Sequence, residues 1–239
     1  MSTRASLLFP AVEHPAAAPE RAGEIEVPKR PAWDANRFAR EQIQRLVRQI
    51  FFPGWPKPSR HIVITAVDRD ADVAGLCYQV GEALSSQVPC RIGVVEASLK
   101  ATEFGEVFGL KSGHRGGEEP GPHRGYHQVS SHLWLVPPTE FWQGPEEQFS
   151  IMALENTVAQ LRRDFDYTIL HAPPAGLSSE AGVLGHLSDG VVLVLEAHST
   201  RRLMAQRVKE SLQAANVRVL GVVLSGRTFP IPEGIYKRL

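Results

Sequence analysis

The sequence has no excess of charge of either sign: 26 Lys and Arg stand against 26 Asp and Glu, for a formal net charge of zero. That removes the general electrostatic case for nucleic acid or an anionic membrane surface as partner. It has little cysteine. The two thiols, Cys77 and Cys90, suit a reducing compartment and read as small buried hydrophobes, not as a redox pair or metal ligands. It also lacks long apolar runs. "VVLVL" (191–195) has the length of a strand and is far too short to span a bilayer. The N-terminal stretch "MSTRASLLFPAVEHPAAAPERAG" lacks an h-region and a cleavage site, so no signal peptide is expected and the expected location is cytoplasmic.

What is there alternates. Residues 1–33, rich in Ala, Pro and charge, read as a disordered tail. From Asp34 as N-cap, "ANRFAREQIQRLVRQIFF" reads as a helix with an apolar stripe of Ile43, Leu46, Val47 and Ile50. Arg37, Arg40, Gln44 and Arg48 lie on its other side. "PGWPKP" then breaks the chain, so that 34–59 form a helix and linker ahead of a domain over 60–239. Strands are expected at 61–67, 91–96, 133–136, 167–171, 191–196 and 217–224, with helices near 72–86, 150–163, 179–186 and 200–215. The strands are continuous apolar runs, as a parallel sheet covered on both faces requires. The expected fold is a doubly wound, mainly parallel three-layer α/β/α fold with right-handed crossovers. The Gly-, His- and charge-rich segment at about 111–131 reads as a mobile loop.

The junction after the first strand carries the main question. "RHIVITAVDRDADVAGLCYQVGEALSS" is a strand, a short loop and a helix, the shape that seats a phosphate in many α/β proteins. Yet its loop, Asp68, Arg69, Asp70, Ala71 and Asp72, holds three carboxylates and neither glycine nor lysine.

Several stretches together resemble the bacterial tyrosine kinase (BY-kinase) family, a branch of the MinD/ParA-like P-loop ATPases. "FDYTILHAPPAGLSSEAGVLGHLSDGVVLVLEAHSTRRL", continuing to "VRVLGVVLSGR", is similar to the family's "FDYVIIDTPP…D…LADGVLLVV…T…L" and "VLGVVLN". "RIGVVEASLKATEFGEVFGL" resembles "VLLIDADLRRP…LFGL", and "HLWLVPPTE" resembles "L.VLPAG". "REQIQRLVRQI" lies where the family has an E-x-x-R-x-x-R helix, with Gln42 in place of the glutamate. The similarity covers roughly residues 35–228. It implies a P-loop ATPase fold, subunit contacts through the helix carrying Arg45 and Arg48, and a role in capsule or exopolysaccharide assembly.

The resemblance fails at the chemistry. The family's loop supplies glycines whose N–H groups cradle phosphates, a lysine that neutralises them and a hydroxyl for Mg²⁺. Aligned on "VITA", this chain has Asp72 on the lysine, Val73 and Ala74 on the Ser/Thr pair, and Arg69 and Ala71 on glycines. Glu96 keeps one carboxylate of the second acidic motif while Ser98 replaces the other, and His171 replaces a metal-coordinating Asp. Ser225 stands where the family often has an Asn beside the adenine, and the C-terminal tyrosine cluster is reduced to Tyr236. A carboxylate about 4 Å from a phosphate charge costs ~1 kcal/mol in water and ~4 at an effective dielectric of about 20. Exchanging an attractive lysine for a repulsive aspartate therefore lowers affinity by orders of magnitude.

Blander readings weigh on the remaining motifs. Asp68-x-Asp70-x-Asp72 matches the opening of an EF-hand, but Val73 holds the glycine position and Gln79 the bidentate glutamate position. Asp72 reads instead as an N-cap. His114, His123, His127 and His132 lack cysteine partners and helical spacing, so a solvated loop is preferred to a metal cluster. His171 reads as structural, and Ser178 and Ser179 as helix caps rather than nucleophiles.

The expectation is a pseudo-ATPase with no catalytic residues, no metal and no cofactor, acting on a membrane chain-length-determining protein or an active family relative. Homo- or hetero-oligomers are expected, nucleic acid is not, and a partner could recruit the chain to the inner face of the membrane. The alternatives are an active tyrosine kinase using ATP and Mg²⁺ through an atypical site, and a MinD/ParA-like spatial regulator.

Overall fold

The computed structural model describes residues 35–52, 59–69, 71–98, 125–142 and 150–226. The expected tail, most of the Pro-rich linker, Asp70, His114, His123 and Tyr236 lie outside them.

Helix α1 (Ala35–Phe51) buries Val47, Ile50 and Phe51, with Ile43 and Leu46 packed beside them, as its apolar stripe requires. Strand β1 (His61–Ala66) leads to α2 (Val73–Ser85) and β2 (Ile92–Glu96). Then come β3 (His127–Gln128), β4 (Leu133–Val136), the single turn α3 (Pro138–Phe141), α4 (Ile151–Asp164), β5 (Tyr167–His171) and α5 (Glu180–His186). The chain continues as β6 (Gly190–Glu196), α6 (Arg202–Ala214) and β7 (Val219–Ser225). The predicted strands and helices all form, with ends shifted by a residue or two. Two elements depart from the sequence expectation. His127 and Gln128, expected in the mobile loop, pair with Leu135 and Trp134 as a short antiparallel edge, and Pro138–Phe141 make a helical turn. Neither is long enough to show a period in the sequence.

The sheet order is β3-β4-β2-β5-β1-β6-β7, parallel throughout except for β3. Every residue of β2, β4 and β5 is buried, the mark of central strands covered on both faces. One apolar core lies on the α1/α2 side and includes Ile62, Ile64, Val94, Ile169 and Val192. The other lies under α4, α5 and α6 and includes Val63, Val95, Leu170, Leu193 and Val208. This is the three-layer α/β/α arrangement of P-loop NTPases. Carboxylates hold the strand beginnings: Asp189 Oδ2 accepts from the N–H groups of Arg60 (2.6 Å) and His61 (2.8 Å), and Asp166 from that of Arg91 (2.9 Å). Cys77 is buried and Cys90 half-buried, and no disulfide joins them. Among the described residues no helix is long and apolar enough to cross a membrane.

Candidate functional site

In a parallel sheet the side chains of paired residues point to the same face, and the loops after the strands converge at their C-terminal ends. Here Glu96 pairs with His171 at the ends of β2 and β5, and Ala97 N–H donates to the His171 carbonyl at 2.9 Å. Val94 and Ile169, two residues earlier on each strand, belong to the α1/α2-side core, so Glu96 and His171 point to that side as well. Glu96 is fully buried and His171 nearly so.

The loop from β1 to α2 brings Asp72 within electrostatic reach of His171. Asp72 is the N-cap of α2: its Oδ1 accepts from Gly75 N–H at 2.8 Å. The capped groups are the ones that hold phosphate in a P-loop. A side chain at Gly75 would run into the same carboxylate. Val73 and Ala74, at the Ser/Thr positions of the family motif, are buried in the apolar core and present no hydroxyl. Asp68 is half-buried, and Arg69 is exposed.

Burial pushes the His171 imidazole down to about 4, while the nearby Asp72 carboxylate pulls the other way. His171 is therefore neutral at physiological pH and supplies no cation to an anionic ligand. Asp72 is the charged group that acts on it, and Glu96 is its register partner across the strands.

The segment after β5 is stitched to β1 by backbone bonds that sequence reasoning did not anticipate. Ala172 N–H donates to Ile64 (3.1 Å), Ala175 to Ala66 (2.8 Å) and Gly176 to Val67 (3.1 Å), while Thr65 Oγ1 donates to the Pro173 carbonyl at 2.7 Å. A side chain at Gly176 would strike the Val67 carbonyl, so the glycine of "APPAG" marks a close approach of two backbones. Ser178, not Ser179, makes the capping contact of α5, accepting from Glu180 N–H at 3.1 Å.

Of the other candidates read from the sequence, Ser98 stays beside this corner and the rest lie on other elements. Ser98 is buried just beyond β2, and Ser225 ends β7 with its carbonyl accepting from Ala197 N–H at 2.9 Å. Arg45 and Arg48 are exposed on the outer side of α1. His127 lies in β3, and among the described residues no group of His, Cys, Asp or Glu is arranged to hold a metal ion.

No family model matches the chain. A stretch of 93 residues is 26% identical to the tyrosine-protein kinase CpsD of Streptococcus agalactiae, covering 39% of this chain and 40% of that protein. Over that stretch the chain is similar to a bacterial tyrosine kinase. It matches only about two-fifths of the length of that curated relative. Among solved structures, the chimeric protein CapA2B2 superposes with a TM-score of 0.66 at 17% identity, over 85% of this chain and 88% of the other. The VpsO kinase domain follows at 0.63 and 15%, over 81% and 98%. At these identities the structural likeness establishes the fold alone.

Proposed function

We infer that this chain is a catalytically degenerate BY-kinase-like protein that works by binding, as a partner or regulator in capsule or exopolysaccharide biosynthesis. The observation that carries the reading is Asp72, whose carboxylate already occupies the capping position of α2 that a nucleotide phosphate would need. Support comes from the buried Val73 and Ala74, from the neutral His171 at the metal-aspartate position, and from the kinase relatives. Its partner would be a membrane chain-length-determining protein or an active relative, met through the arginine-bearing face of α1.

The deciding experiment is thermal unfolding with and without ATP and Mg²⁺. A ligand at about 100 times its Kd stabilises the native state by about 2.7 kcal/mol and raises Tm by several degrees. No shift is expected here. A clear shift in the unmodified protein would overturn the reading and favour the active-kinase alternative.

A further inference from the structure

Helix α6 begins in an exposed apolar tip. Leu203 and Met204 are 60% and 41% exposed, and Leu177, on the loop after β5, is 58% exposed. The two segments are neighbours. A side chain at Gly176 would stand 3.5 Å from Val208, and Met204 lies one turn before Val208 on the same side of α6.

Arginines flank the tip. Arg201 and Arg202 precede it, and Arg207 follows Leu203 by four positions and Met204 by three, the spacings at which helical side chains stand side by side. All three are exposed, and among the described residues none of them is in an ion pair. The single carboxylate of α6, Glu210, accepts from Gln206 at 3.0 Å. Cations at the start of a helix also oppose its dipole, so the fold gains nothing from Arg201 and Arg202 there.

This arrangement selects the kind of partner. A protein segment docked along α6 would need an apolar strip running over several turns. Here the apolar surface stops after one turn: beyond Leu203 and Met204 the exposed positions of that side are Arg207, Glu210 and Ser211. Leu203 and Met204 are consecutive, so they splay about 100° apart around the helix, and with Leu177 they make a short tip. Such a tip among unpaired arginines fits an anionic lipid surface. The apolar ends enter the headgroup boundary while the arginines reach lipid phosphates. The zero net charge of the chain excludes a general attraction to such a surface and leaves this local one in place.

We propose that the start of α6, with Leu177 beside it, is a docking site for an anionic lipid surface. The contact belongs to this chain's own side chains. It depends neither on the loss of nucleotide binding nor on a protein partner at α1.

Flotation of the full chain with lipid vesicles tests this. Vesicles of phosphatidylcholine with about a third phosphatidylglycerol should carry the protein at low salt and release it as salt rises, and vesicles of phosphatidylcholine alone should not carry it. An arginine near such a surface is worth about fivefold in partitioning, so Arg201→Gln with Arg202→Gln should lower it about 30-fold. Leu203→Gln should weaken it as well. Arg163→Gln with Arg218→Gln, the same change of charge at the end of the sheet where the strands begin, should leave it nearly unchanged. No binding to the anionic vesicles, equal binding to both kinds, or an equal loss in the Arg163, Arg218 variant would overturn the proposal. Arginine-dependent binding of poly-glutamate without binding to vesicles would overturn it in favour of an acidic protein partner.

Discussion

At the scale of single residues, Asp72 and His171 define the corner, and each predicts a measurement. An N-cap aspartate is worth about 1 kcal/mol over alanine, whereas asparagine caps as well. Asp72→Ala should therefore lower the unfolding free energy by about that amount in urea, and Asp72→Asn should leave it nearly unchanged. Equal losses would mean that the carboxylate does not act as a cap. His171 sets an acid limit. Its folded value of about 4 lies below the ordinary 6.5, so above pH 6.5 it contributes no pH dependence. As the pH falls below 6.5 the unfolded chain takes up a proton that the folded chain refuses, and stability declines until about pH 4. The full difference is about 3 kcal/mol at ~1.4 kcal/mol per unit. His61 is likewise lowered to about 4 by burial, opposed by Asp189, and adds to the same slope. His171→Gln should flatten the loss between pH 6.5 and 4 without abolishing it. An unaltered slope would show that His171 is not the titrating group.

At the scale of elements, α1 and α2 meet through an apolar seam, and α1 turns its charge outward. Arg37 pairs with Glu41 along the helix at 3.1 Å, while Arg45 and Arg48 are exposed on the same element. Exposed charges act mainly on association and its salt dependence, so exchanging them should spare the fold. The double change Arg45→Glu, Arg48→Glu should leave the unfolding midpoint in place and weaken self-association or partner capture, as sedimentation at two salt concentrations would report. Unchanged sedimentation together with unchanged partner capture would remove α1 as the contact surface.

At the scale of the whole molecule, a P-loop is a cooperative device, since glycine backbone, lysine and hydroxyl must act on one anion together. Asp72→Lys alone should not restore nucleotide binding, because Arg69 and Ala71 still carry side chains where the backbone must approach phosphate. The combination Arg69→Gly, Ala71→Gly, Asp72→Lys, Val73→Thr is the smallest set expected to produce an ATP-dependent rise in Tm. Binding by Asp72→Lys alone would show that charge, not backbone access, excludes the nucleotide. Purified protein should transfer no phosphate to Tyr236, measured against a heat-inactivated control.

The alternation of apolar runs with amphipathic helices was enough to read a parallel α/β sheet, since burying a strand on both faces demands continuous apolar sequence. The capping role of Asp72 was legible too, because a cap acts over three residues and needs no distant partner. Sequence could not place Glu96 beside His171, 75 positions apart, as strand order and register alone bring them together. Nor could it show that Gly176 meets the Val67 carbonyl, or that Pro173 accepts a bond from Thr65. The exposure of Val222 and Leu224 was likewise invisible: it follows from the strand order, in which β7 pairs with β6 alone among the described residues. Local chemistry is written along the chain, whereas neighbours across the sheet exist only once the strands have been ordered.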